Sequence, residues 1–446
     1  MMPFENVLWP PVPDQRRLML IGLLHQLDQT QYLPVDAIVS AQFAQLRALA
    51  GYHYGNNAWF KQRMDAAGLK PDDLTDHAQL RKLPVLHRYD IQRGGKELVN
   101  AKTPQSHGPT WTNKTSGSSG EPVVITKTAL SSLFWAAHSM RDHRWNDRDT
   151  RSRLASIRAD IKETMEVPSW GSPASELYVT GPALGMFNGL DIDIQLDKVR
   201  AFRPNILLIY PNNLDGFCEI WERDGYDLDC IEHIKTIGET VRPELRDRVK
   251  RITGLDIEDV YSSNECGTMA IQCPESGLYH EMSETVIVEI IREDGEPAQP
   301  GEEGRLVITD LHNFAMPIIR YQINDWAERG DACTCGRTLP VINRIIGREH
   351  SIMTRPDGSK HWPMFQGMRF AEIAPVRQYQ VIQHTRDQVE LKIFTEEPIT
   401  EQQEQDLIKL VQGGLGWPYD MRITQYRHRL PLTANGKFQE FISKVK

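Results

Sequence analysis

Between residues 110 and 347, short β-rich runs at Val123–Ile125, Asn205–Tyr210, Ile257–Tyr261, Val286–Ile290 and Arg305–Thr309 alternate with stretches whose apolar residues recur at helical spacing. Short apolar strands separated by helices bury both faces only when helices cover the sheet, so the pattern predicts α/β layers around a largely buried sheet. At 446 residues the chain exceeds the size at which a single core stops growing, and two or more folding units are expected.

The flanking segments read differently. The first hundred residues are mainly helical in pattern, with Pro13–Leu27 and Val35–Ala50 as the clearest helices. After Gly347, Gln378–Gln383 and Gln388–Phe394 alternate polar and apolar residues around the turn Thr385-Arg-Asp387, which predicts a hairpin. A helix should follow, opened by the capping pair Thr400 and Gln403 and stopped at Gly413-Gly414. The expected organisation is a large domain over 1–347 and a small α+β domain over 348–446. No internal repeat is evident.

The charge balance narrows the partners. With 51 Lys and Arg against 60 Asp and Glu, the net charge is −9, and no basic run with interleaved aromatics offers a nucleic-acid footprint. The apolar run Leu18–Leu24 is too short to span a bilayer or act as a signal core, so no membrane partner is expected and a cytoplasmic location is the default. Six cysteines are too few for a disulfide scaffold.

The segment Thr115-Ser116-Gly117-Ser118-Ser119-Gly120 carries the glycines and hydroxyls of an anion-binding loop. It is not a Walker A loop: there is no lysine, and Pro122 with Val123, Val124 and Ile125 predicts that a strand, not a helix, follows directly. By composition alone a plain Ser/Gly linker is an equal reading. Further along, Ile237-Gly238-Glu239-Thr240 ends a predicted strand and precedes a helix with Pro243 at its start, placing Glu239 at the carboxyl edge of the sheet where open α/β folds bind ligands. Tyr261-Ser-Ser-Asn264-Glu265 likewise ends the strand Ile257–Val260. Asp325 closes Arg320-Tyr-Gln-Ile-Asn-Asp325, Arg348 closes Arg344-Ile-Ile-Gly-Arg348, and Lys437 closes Leu430-Pro-Leu-Thr-Ala-Asn-Gly-Lys437.

Taken in this order, from Leu83-Pro-Val-Leu-His-Arg-Tyr-Asp90 to Lys437, the motifs resemble the adenylate-forming ligase superfamily, in the phenylacetate-CoA ligase-like branch with its capsule-biosynthesis and coenzyme F390 synthetase relatives. The resemblance covers some four fifths of the chain. It implies the adenylate-forming fold, a large multi-layer N-terminal domain with a small, mobile C-terminal one. It also implies an ATP- and Mg-dependent enzyme that forms an acyl-adenylate, releases pyrophosphate and passes the acyl group to CoA. Thr115 to Gly120 would close on the phosphates; Glu265 would help hold Mg²⁺. Gly238, Glu239 and Thr240 would frame adenine and Tyr261 would stack on it, beside Asn264. Asp325 would accept from the ribose hydroxyls with Arg348 nearby, and Lys437 would serve the α-phosphate. An ionised carboxylate attacks without a general base, consistent with the lack of a Ser-His-Asp set.

Two places depart from the family pattern. His350 stands where relatives carry an acidic or lysine hinge residue, and Arg355-Pro-Asp-Gly-Ser-Lys360 differs from the loop that phenylacetate-CoA ligases present to the thiol. Transfer to an amine or to a carrier-protein thiol therefore remains a rival reading, and an inactive zinc-stabilised nucleotide-binding scaffold is a third. A predicted helix Ala129–Trp145 sets Trp135 and His138 about one turn apart as acyl-pocket candidates, and Gly185 and Phe187 fall in Thr180–Phe187, where relatives place residues lining the acyl site. Core packing accounts for Trp135 equally well. Cys273, His280, Cys333 and Cys335 make the Cys₃His set of a structural zinc site, although small buried cysteines at turns give the same pattern. ATP and a small carboxylic acid are the expected partners, and a homodimer is compatible with the pattern.

Overall fold

A computed structural model describes residues 12–114, 123–348, 353–361, 370, 372–431 and 441–445. The chain divides into two compact units, Met1–Ile346 and Gly347–Lys446.

In the first unit, helix α1 (Gln15–Thr30) is opened by Asp14, whose side chain accepts from the Arg17 amide at 2.9 Å. Helix α2 (Val35–Asn56) buries Phe43, Leu46 and Leu49 against Phe60 and Met64. Strands β1 (Thr110–Lys114) and β2 (Val124–Thr128) pair antiparallel with Lys114 opposite Val124, and helix α3 (Ala129–Trp145) starts at once after Thr128. The hydroxyl and glycine segment, Thr115, Ser116, Gly117, Ser118, Ser119 and Gly120, thus connects two strands. Its own residues lie outside the described ones.

A twelve-stranded sheet forms the centre. Strands β3 (Leu154–Arg158), β4 (Met165–Val167), β5 (Ala183–Phe187), β6 (Ile206–Ile209), β7 (His233–Thr236) and β8 (Ile257–Ser263) make one half, ordered 8-7-6-3-5-4, with all neighbours but the last parallel. Helices α4 (Ile192–Phe202), α5 (Pro211–Asp224) and α6 (Pro243–Thr253) make the crossovers that parallel strands require, burying Leu196, Phe217 and Leu245 beside Leu207 and Ile234. The other half, antiparallel at each of its recorded ladders, comprises β9 (Gly267–Gln272), β10 (Tyr279–Glu281), β11 (Val286–Ile291), β12 (Glu303–Asp310), β13 (Tyr321–Arg329) and β14 (Val341–Arg348). Strand β8 runs two residues beyond Tyr261 and returns as β9, because the Ser263 hydroxyl accepts from the Cys266 amide at 3.0 Å and closes the turn.

In the second unit β15 (Met353–Thr354) and β16 (Lys360–His361) flank the turn Arg355–Ser359, closed by Gly358 N to Arg355 O at 2.9 Å. Strands β17 (Val376–Gln383) and β18 (Gln388–Thr395) form the expected hairpin, extended by β19 (Asp420–Tyr426) and β20 (Phe441–Ser443) into a four-stranded sheet. Helix α7 (Glu401–Leu415) covers it with Leu407, Val411 and Leu415, and its capping box is Thr400 with Gln403. The helix does not stop at Gly413-Gly414. Burial of Leu415 draws it one residue further, and Gly416 supplies the left-handed cap at φ 64°. His350 and Lys437 lie outside the described residues. No helix among the described residues is long and apolar enough to cross a membrane.

Candidate active site

The carboxyl ends of the parallel strands converge on one edge. After β7, Gly238 adopts φ 79°, and a Cβ placed there would lie 2.7 Å from the Tyr210 ring, so only glycine brings the backbone this close to the residue that follows β6. The turn leaves Glu239 half-buried, with its Oε2 accepting from the Asn212 amide at 3.2 Å, at the start of α5. Thr240 follows, also half-buried, just before Pro243 opens α6.

Tyr261 sits on the next strand. Its hydroxyl donates to Asp325 Oδ2 at 2.6 Å. Asp325 reaches that position through a bulge: the ladder between β12 and β13 shifts between Arg305 and Val307, leaving Ile323, Asn324 and Asp325 outside the regular register. Asn324 takes φ 64°, which asparagine tolerates, and the strand turns Asp325 out of the ladder. At the tip of β8, Asn264 is exposed and its side-chain oxygen lies 3.4 Å from Asn113 Nδ2, one residue before the end of β1. Glu265, only 8 % exposed, follows it. The edge thus brings Glu239, Thr240, Tyr261, Asn264, Glu265 and Asp325 into linked elements, with the end of β1 at their side. Arg348 is the last residue of β14.

A cavity of about 30 Å³ lies against Cys266, Gly267 and Thr268, the residues after Glu265. Both Trp135 and His138 of α3 line it, whereas Gly185 and Phe187 on β5 do not. Sequence reading missed Lys127, Asp310 and His312, which also line it. A lysine inside the β-run after the Ser/Gly loop was the available signal, since an ammonium in a buried strand calls for a partner.

Cys273 follows β9, His280 lies in β10, and Cys333 and Cys335 occupy the connection between β13 and β14. Their four ligand atoms lie within 4.8 Å of one another. Cys273 Sγ and Cys333 Sγ are 3.9 Å apart and Cys335 Sγ is 3.3 Å from His280 Nε2. The edges of a tetrahedral zinc site are about 3.8 Å between sulfurs and about 3.6 Å between sulfur and nitrogen, given the usual metal–ligand lengths. His280 Nδ1 donates to the Leu339 carbonyl at 3.2 Å, which fixes the tautomer and turns the Nε2 lone pair toward the sulfurs. Burial pulls the His280 imidazole down to about 4, so the ring is neutral, as a metal ligand would need to be. Cys218 and Cys266 are buried elsewhere and behave as small apolar residues.

No family model matches the chain. The phenylacetate-coenzyme A ligase of Escherichia coli (strain K12) is 25% identical over 338 residues, covering 74% of this chain and 75% of that protein. The phenylacetate-coenzyme A ligase of Thermus thermophilus is 23% identical over 83% of this chain and 84% of its own length. Among solved structures, a 2-hydroxyisobutyryl-CoA ligase in its post-adenylation state is similar in fold, with a TM-score of 0.72 and 16% identity over 94% of this chain and 92% of that one. The chain is thus similar in sequence to phenylacetate-coenzyme A ligases and shares its fold with a 2-hydroxyisobutyryl-CoA ligase.

Proposed function

We propose that the protein is an ATP- and Mg-dependent acyl-CoA synthetase-like ligase. A substrate carboxylate attacks the α-phosphorus of ATP, the bond to pyrophosphate breaks, and the acyl group of the resulting adenylate passes to the thiol of CoA with release of AMP. The observation that carries this reading is the Tyr261–Asp325 bond at the strand edge that also presents Glu239 and Glu265, in a chain similar along 74% to 83% of its length to phenylacetate-CoA ligases.

The residues fit the task. Tyr261 offers a ring face to adenine and Glu239 a carboxylate at the turn beside it. Asp325, oriented by Tyr261, accepts from ribose hydroxyls. Glu265 is a hard oxygen ligand at a buried edge and suits Mg²⁺, which when bound neutralises phosphate charge. The segment 115–120 is assigned to the phosphates, Arg348 to the ribose side and Lys437 to the α-phosphate; the large portion 1–347 holds the nucleotide and acyl sites and the small portion 348–446 carries Lys437. ATP and CoA supply favours a cytoplasmic location. The tetrahedron-like spacing of Cys273, His280, Cys333 and Cys335 supports a structural zinc ion that ties the β9–β10 turn to the segment before β14.

Carboxylate-dependent exchange of labelled pyrophosphate into ATP tests the first half-reaction, and thioester formation on adding CoA tests the second. Lys437→Ala is expected to lower exchange on the order of 10²-fold or more, as loss of a charge stabiliser does. Exchange with no acid at all would reject the proposal, and exchange unchanged in the variant would reject the role of Lys437.

A further inference from the structure

The cavity after Glu265 is polar in an unusual way. Lys127 lines it and is 4 % exposed, yet among the described residues its ammonium makes no hydrogen bond or ion pair. Asp310 lines it too, 6 % exposed, with Oδ1 accepting from the His312 amide at 3.0 Å. The Thr285 hydroxyl donates to the Met282 carbonyl at 3.1 Å, so it accepts from His138 Nε2–H at 3.1 Å. That leaves His138 Nδ1 a bare acceptor, and it is buried with no partner among the described residues; His312 Nδ1 is in the same condition. Burial lowers His138 to about 3 and His312 to about 4, so both rings are neutral. Asp310 offsets part of the Lys127 charge, but an ammonium and two buried ring nitrogens that lack hydrogen-bond partners among the described residues are costly, and such groups persist where a water or a ligand atom completes them.

We infer that this cavity receives a hydroxyl of the acyl substrate, and that the acid activated here is a short-chain hydroxy acid. The inference rests on the adenylation reading and names the substrate class for it. A substrate hydroxyl accepts from Lys127 while donating to His138 Nδ1 or to Asp310, in the place that a water would otherwise take. A second carboxylate would meet Asp310 and an ammonium would meet Lys127. An aryl ring is excluded by room, since benzene occupies a cavity of about 150 Å³, and it would leave every one of these atoms unpaired.

The test is pyrophosphate exchange with matched acids: lactate against propionate, 3-hydroxybutyrate against butyrate, and phenylacetate as the aryl probe. At least one hydroxy acid should exceed its deoxy partner in kcat/KM on the order of 10²-fold or more, as sites built to bond a substrate hydroxyl discriminate strongly. Lys127→Met, checked for folding by circular dichroism, should erase most of that preference. Deoxy acids or phenylacetate exchanging as well as the hydroxy acids would overturn the inference while leaving adenylation standing. Preference unchanged in folded Lys127→Met would remove Lys127 from it. Exchange with no acid would instead bring down the adenylation reading and this inference with it. The wild-type comparison decides even where the variant fails to fold.

Discussion

The Tyr261 hydroxyl and Asp325 Oδ2 lie 2.6 Å apart, binding the end of a parallel strand to a bulge 64 residues later. A hydrogen bond to a carboxylate is worth about 1.5–3 kcal/mol, and here it fixes the direction in which the second carboxylate oxygen points. Tyr261→Phe is expected to raise the KM for ATP roughly tenfold with little change in kcat, since about 1.4 kcal/mol corresponds to that factor. Asp325→Ala should cost more, because it removes the acceptor itself. Exchange kinetics at varied ATP decide: a Tyr261→Phe enzyme with an unchanged KM and a lowered Tm would make the bond purely structural.

Gly238 makes a second, independent claim on the same edge. Alanine at φ 79° carries about 1–2 kcal/mol of backbone strain, and its Cβ would stand 2.7 Å from the Tyr210 ring. The turn must shift, and Glu239 shifts with it. Gly238→Ala should lower Tm and weaken ATP binding together, measured by thermal unfolding with and without ATP. An undisturbed ATP affinity would show that the Glu239 turn does not frame the nucleotide.

For the Cys₃His cluster, protein purified without a metal column should contain about one zinc per chain. Cys335→Ser should lose most of it, and a strong chelator should lower Tm in the parent alone, because a structural metal contributes its binding energy to folding. Metal content near zero in the parent would reject the site.

Much of this was legible locally, and the parts that were not share a cause. The β-rich runs marked strands in place because burial on both faces leaves a composition that survives any topology, and Pro243 marked its helix through backbone geometry alone. The bulge that presents Asp325 depends on a register between β12 and β13 that no local pattern carries. The helix passed through Gly413-Gly414 because Leu415 had a core to enter, a tertiary gain larger than the glycine penalty. Lys127, His138 and Asp310 come from positions as far apart as a strand, a helix and a distant strand end, so their meeting in one cavity was invisible until the chain closed.

Glu390 in the small unit gives a pH dependence with a definite sign. Burial pushes its carboxyl up, but bonds from Thr424, His384 and Arg422 outweigh it and hold the group down at about 2, against 4.5 in its ordinary state. A depressed carboxylate contributes stability that is complete above the unfolded value and is lost as pH falls through the folded one. The second unit should therefore lose stability between about pH 4.5 and 2, and Glu390→Gln should flatten that arm of the Tm profile. An acid arm identical in parent and variant would show that other groups set it.

The largest stability effect should come from Arg148. This guanidinium is buried between α3 and β8, 2.6 Å from Asp142 Oδ2 and 2.7 Å from Glu258 Oε2, while Lys235 also bonds Asp142 and His233 Nδ1 lies 2.6 Å from Glu258 Oε1. The network has two carboxylates and, with Lys235, two fixed cations, so it is balanced only while Arg148 is present. Replacing Arg148 by methionine keeps much of the volume but leaves the buried Asp142 and the half-buried Glu258 with Lys235 as their one fixed cation in the network, a change that costs about 3–5 kcal/mol where one partner of a buried pair is removed. Denaturant unfolding should show a lower midpoint with an unchanged slope. The triple replacement Arg148→Met, Asp142→Leu and Glu258→Gln should recover part of the loss, because the cost lies in the carboxylates left behind rather than in the contacts of the arginine. Failure of the triple to recover any stability would place the cost in packing instead.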